Sequence, residues 1–145
     1  MNTKAVFLFF LLLVLGFQTC FAADSPKISV RRLKTILHDQ GFSGALDRDA
    51  SFRGLGIFDC GPKKYRIFYF DWAETRPDGR PGHGQQRIII IGAGDKYIGS
   101  YWVHDPPRRV MRDVILIPGD DVNDKDEIRC ADGELPNDGT HLLEK

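Results

Sequence analysis

Apolar positions along this chain fall into distinct spacings. From Ala5 to Leu15 they run unbroken. Further on, Val30, Leu33, Ile36 and Leu37 recur every third or fourth position, with Arg31, Arg32, Lys34, His38 and Asp39 between them. That is the stripe of an amphipathic helix. Asp24-Ser25-Pro26 offers a capping side chain and then a proline suited to the first helical position. Gly41 supplies a stop, so a helix is predicted over 26–40. Beyond Gly41 the apolar runs are short, β-branched or aromatic, and punctuated by Gly, Pro and Asp, which is the pattern of strands. Strands are predicted at about 54–59, 64–72, 86–92, 96–104, 113–117 and 126–130. In the second of them Tyr65, Ile67 and Tyr69 share one face and Phe68, Phe70 and Trp72 the other. Both faces are apolar, so this strand should be central and covered on both sides. The expected class is α+β: one N-terminal amphipathic helix packed on a curved, mainly antiparallel sheet of about six strands.

The N-terminal apolar stretch changes the context of everything after it. Lys4 precedes it, and small residues, Ala22 and Ala23, follow it. This is the three-part layout of a secretory signal, with Cys20 and Ala22 at the −3 and −1 positions of a cut after residue 22. The stretch is too short to favour a membrane-spanning helix. A lipid anchor on Cys20 is the rival reading, but Phe17 stands where a lipobox wants a small aliphatic residue. The expected organisation is a cleaved signal at 1–22 and a single extracytoplasmic domain at 23–145, periplasmic or secreted. No later stretch is apolar for long enough to span a bilayer. The first 22 residues carry one lysine and no acid, which leaves 19 basic and 20 acidic residues and a net charge of −1. Such a balance provides no overall field toward nucleic acid or an anionic membrane. Two cysteines remain, Cys60 and Cys130, and in an exported chain they are expected to pair.

The run Ile88-Ile89-Ile90-Ile91-Gly92-Ala93-Gly94-Asp95 resembles a strand entering a phosphate loop. A phosphate loop, however, is followed by a helix N-terminus, and here Lys96 to Val103 is strand chemistry. The next glycine, Gly99, is also too late for a dinucleotide fingerprint. Gly94-Asp95 is instead a tight-turn pair, so residues 86–104 are expected to form a hairpin pairing 86 with about 102. Gly99, inside the return strand, suggests a bulge or a close backbone approach. No cofactor is implied by any motif.

The hairpin sends two flanking loops, 73–85 and 105–112, to one end of the sheet. Together they carry Arg76, Arg80, His83, His104, Asp105, Arg108, Arg109 and Arg112, with Trp72 and Trp102 on adjacent strand ends. Arginines beside aromatics suit carboxylate and phosphate contacts. The expected role is therefore non-enzymatic binding of a protein partner or an anionic envelope component through this loop pair. The alternative is a small periplasmic hydrolase or metal-dependent enzyme using His83, His104 and Asp105. The segment 119–125 is expected at the opposite end, with the Gly94 turn, and it opens an acid-rich stretch that runs from Asp120 to Asp138. Within it, Asp121-x-Asn123-x-Lys125 places a lysine where a calcium loop needs an oxygen. Tyr65, Tyr69, Tyr97 and Tyr101 are expected as core or rim aromatics rather than a ligand groove. One conflict stands. A strict meander puts Cys60 and Cys130 at opposite ends, whereas a disulfide needs Cα atoms within about 7 Å. Either the last strand pairs differently or it enters the sheet at another level.

Overall fold

The computed structural model describes residues 27–75, 78, 81–118, 125–137 and 143–145. The expected signal peptide and the expected Asp24-Ser25-Pro26 cap lie outside them. Helix α1 spans Val30–Asp39, shorter at its start than the 26–40 expected. Its cap is Ser29, whose extended backbone turns the hydroxyl back to accept the Arg32 N–H at 3.2 Å. Leu33, Ile36 and Leu37 are buried, as the stripe requires. The exit is a left-handed Gly41 (φ +81°), and the Phe42 N–H returns to the Leu37 carbonyl at 2.9 Å. This closure folds the Phe42 ring under the helix.

The first sheet is an antiparallel meander in the order β1 (Ser51–Cys60), β2 (Lys63–Thr75), β3 (Pro81–Ile91) and β4 (Tyr97–Trp102). Much of the stretch 73–85 expected as a loop is therefore strand. The β3–β4 hairpin is present. A single 3-10 turn at Ala93–Asp95 reverses the chain, with Gly94 and Asp95 both at positive φ, and no helix follows. Arg87 faces Trp102, one residue from the expected register, because Ile98 is extruded as a bulge opposite Ile90 and Ile91. Gly99 allows a close approach: a Cβ there would lie 2.7 Å from the Glu144 carbonyl oxygen, and Ser100 and Glu144 exchange backbone hydrogen bonds at 2.8 and 3.0 Å.

The expected α+β class with one six-stranded sheet is overturned. The molecule is mostly β. A separate antiparallel sheet, β5 (Arg109–Met111), β6 (Val114–Pro118) and β7 (Lys125–Arg129), packs on the first. The meander stops at β4 for two reasons. The outer edge of β4 is occupied at Ser100 by Glu144. Just past β4 come Pro106 and Pro107, which have no N–H to continue a ladder. The chain therefore crosses to the other face of the meander. Phe58, Tyr65, Ile67, Tyr69, Ile88, Ile90 and Tyr101 form a core with Ile115, Ile117 and Ile128 of the second sheet. On the opposite face Phe70, Ile89, Ile91 and Tyr97 meet Leu33, Leu37 and Phe42. The rings of Phe70 and Tyr97 stand edge-on to Phe42, with centroids at 5.3 and 5.7 Å. β2 is thus covered on both sides, as its two apolar faces require.

The second sheet also resolves the cysteine conflict. The Asp59 N–H donates to the Arg112 carbonyl, so the β5–β6 turn sits against the end of β1. β6 leads away from that turn and β7 returns to it. Cys130 arrives beside Cys60, with a Cα–Cα distance of 5.4 Å and a disulfide between them. For the same reason the stretch 119–124 connects the ends of β6 and β7 remote from the disulfide. Its acids, Asp120, Asp121 and Asp124, lie outside the described residues.

Candidate functional site

β4 and the segment that leaves it carry most of the described candidate side chains. His104 is exposed and Asp105 half-buried, both in the bend after β4. Pro107 is buried, and the Arg108 N–H donates to the Leu116 carbonyl at 2.9 Å. Those two anchors hold the backbone while the Arg108 and Arg109 side chains stay exposed. Trp102 (47 % exposed) and Met111 (45 %) add large apolar surface nearby in the chain. Arg112 is placed elsewhere: it lies at the disulfide end of β5, its Nε 3.7 Å from an Asp59 carboxylate oxygen. Arg76 and Arg80 lie outside the described residues. His83 belongs to β3, but its side chain is outside what is described. Among the described residues, no group of three or more His, Cys, Asp or Glu is placed to hold a metal ion.

Charge pairing separates these arginines. Arg32 and Arg66 share Asp95, Arg87 meets Glu144, and Arg129 meets Asp113 and Glu127. Arg108 and Arg109 have no ion-pair partner among the described residues. Among the described residues, the Tyr69 hydroxyl is buried without a hydrogen-bond partner. Burial foremost, then the Asp71 carboxylate and, least, that of Asp105, push its pKa up to about 12, against an opposing pull from Arg53 that is weaker than Asp71's push. It therefore stays a neutral phenol at physiological pH and supplies no base.

Two polar assemblies were not legible as sites in the sequence. In the first, Arg87 is 3 % exposed. Its guanidinium lies 3.9 Å from the Trp102 ring centroid and 5.2 Å from that of Phe42. One of its nitrogens reaches Ser43 Oγ at 2.9 Å and Glu144 Oε2 at 3.3 Å, and the Nε is buried without a partner among the described residues. Desolvation lowers its pKa, opposed by the Glu144 charge. The available signal was position: Arg87 shares the alternation of Ile89 and Ile91 and so points inward.

In the second assembly, Asp95 accepts from Arg66 at 2.8 Å and from Arg32 at 3.3 Å. Gln40 bridges the same turn, donating to the Asp95 carbonyl at 2.9 Å and accepting the Tyr97 N–H at 2.8 Å. This ties α1 to the β3–β4 hairpin. The Arg66 hydrogen bond, with Arg32 adding to it, holds the Asp95 carboxyl below the usual carboxylate range. A carboxyl whose pKa falls on folding contributes stability above its unfolded pKa, and loses it as pH drops through the folded value. Asp95→Asn keeps a residue type that tolerates positive φ and removes only the charge. It is expected to destabilise by about 1–2 kcal/mol at pH 7, with the gap from the parent closing as pH falls below about 4. Urea unfolding at both pH values checks this, and a pH-independent gap contradicts it.

No family model, curated protein or solved structure matches this chain.

Proposed function

We propose that the protein is an exported, extracytoplasmic binding protein, periplasmic or secreted, that grips an acidic surface of a partner protein with the segment following β4. One observation carries this reading: Arg108 and Arg109 are exposed cations without an ion-pair partner among the described residues, on a backbone fixed by Pro107 and Leu116. Arginine in a rigid setting makes directional, bidentate contacts to carboxylates with little ordering cost. Met111, exposed two residues along β5 from Arg109, supports a protein partner over a small ion, because Met and Arg are enriched in protein interfaces. The disulfide fits an oxidising compartment. Among the described residues no helix is long and apolar enough to cross a membrane.

The test is affinity capture from the extracytoplasmic fraction of the source cells, comparing the parent with an Arg108→Glu/Arg109→Glu variant. Both positions are exposed, so the melting temperature should hold within what surface substitutions allow, about 0.5 kcal/mol. A specific partner should be recovered with the parent and depleted about tenfold or more with the variant. A matched Arg76→Ala/Arg80→Ala variant reports whether the connection between β2 and β3 shares the contact. Equal recovery of every protein by the parent and the Arg108/Arg109 variant rejects the assignment.

A further inference from the structure

Helix α1 does not cover the whole of its sheet face. Between its first turn and the strands β1 and β2 lies a groove of about 480 Å³, within the range of small-molecule sites. Val30 and Leu33 form one wall, Phe52 and Phe68 the other, and Val30 is 49 % exposed. The opening is built into β1. Gly54 and Gly56 flank the bulge in the β1–β2 register and present hydrogen where a strand would normally fill the space with a side chain. A Cβ on Gly56 would meet nothing within 4 Å, and one on Gly54 only the Phe68 ring, at 3.8 Å. Among the described residues the charges of the lining have one sign: Lys27 and Arg66 line the groove and no carboxylate does. Arg66 and Arg32 share a single carboxylate, that of Asp95, so a positive surplus remains beside Lys27.

We propose that this groove binds a single-chain anionic amphiphile, a free fatty acid. Its alkyl chain lies over Gly54 and Gly56, and its carboxylate sits at Lys27 beside Arg66. Apolar walls with a cationic rim match that ligand at both ends. Taking about 30 Å³ for a group the size of a water molecule, the volume holds on the order of fifteen such groups. That is one alkyl chain, not the pair carried by a membrane phospholipid.

The test uses protein expressed from its full sequence and purified from the compartment it reaches. It is titrated calorimetrically with dodecanoate, decanoate, octanoate and dodecyltrimethylammonium, all kept monomeric. Dodecanoate should bind saturably at one site. Each methylene removed should weaken binding about two- to fourfold, and the cationic analogue of the same chain should bind at least about tenfold more weakly. Gly54→Leu and Val30→Trp fill the groove from opposite walls. Each should weaken dodecanoate binding about tenfold or more, with the folded circular dichroism spectrum retained. Lys27→Glu should weaken dodecanoate and spare the cationic analogue. The proposal is overturned by equal affinity for the two head groups, by no dependence on chain length, or by unchanged binding in either folded filling variant. Binding to phospholipid vesicles alone, without monomeric dodecanoate, overturns it too. So does a purified chain that retains residues 1–22 and takes up no dodecanoate, since the groove then belongs to the chain's own apolar segment.

Discussion

A Cys60→Ala/Cys130→Ala variant is expected to lose about 4 kcal/mol of stability, the chain-entropy value for a closed loop of 70 residues. For a domain of this size that lowers the melting temperature by roughly 15 °C. The bond joins the two sheets at one end. On the meander side it is fixed by a fully buried Cys60, and on the other side by a Cys130 whose N–H donates to the Asp113 carbonyl at 3.1 Å. The second sheet has little to hold it alone, because its strands are three, five and five residues long. Strands that short need a covering layer to be stable. Cutting the covalent tie should therefore loosen β5–β7 before β2 and β3, whose isoleucines Ile88 to Ile91 are buried on both faces. Amide exchange should accelerate first in 109–118 and 125–129. Thermal melts of the parent with and without reductant measure the same effect. A shift of under about 3 °C, or uniform acceleration of exchange, contradicts this account.

Local repeats were readable in the sequence, and long-range choices were not. The 3.6-residue stripe of α1, the two apolar faces of β2 and the turn at Gly94-Asp95 are all short-range patterns, and each corresponds to an element of the fold. The second sheet had no comparable signal. β5 is only Arg-Val-Met, too short to alternate, and its place is decided by what happens around it. Pro106-Pro107 ends the ladder, and Glu144, distant in sequence, takes the edge of β4. The impossible span between Cys60 and Cys130 in a flat meander was the one sequence-level sign that the chain had to fold over itself. The candidate site divides in the same way. Arg108 and Arg109 were visible as charges next to aromatics, but their lack of carboxylate partners among the described residues depends on tertiary placement. Arg112, read in the same cluster, is carried to the far end of β5 by the strand itself. The groove at Gly54 and Gly56 depends on how far α1 reaches across the sheet, which no local spacing encodes.

Of the two partners in the buried ion pair, the acid should be the more damaging to remove. Glu144→Ala is expected to destabilise by about 2 kcal/mol and Arg87→Met by about 1 kcal/mol. Arg87 is almost fully buried, and its side chain packs between Trp102 and Phe42. Without Glu144 its charge stays buried, with only Ser43 and Ser100 oxygens to face among the described residues. The loss sits below the 3–5 kcal/mol typical of a fully buried pair, because the Glu144 side chain is 44 % exposed and already shares its charge with water. Removing the arginine is milder. Methionine replaces the aliphatic stem, Ser100 keeps the Tyr97 hydroxyl at 3.2 Å, and the freed Glu144 carboxylate hydrates. The double variant should therefore be more stable than Glu144→Ala alone, since it contains no stranded cation. Trp102 gives a local readout. Loss of the guanidinium from its ring should change its fluorescence in Arg87→Met and leave it near the parent's in Glu144→Ala, where the stack persists. Urea unfolding of all three variants checks the order, and a greater loss for Arg87→Met than for Glu144→Ala reverses it. In that case the guanidinium's packing between the two rings, rather than its charge pairing, is its main contribution to stability.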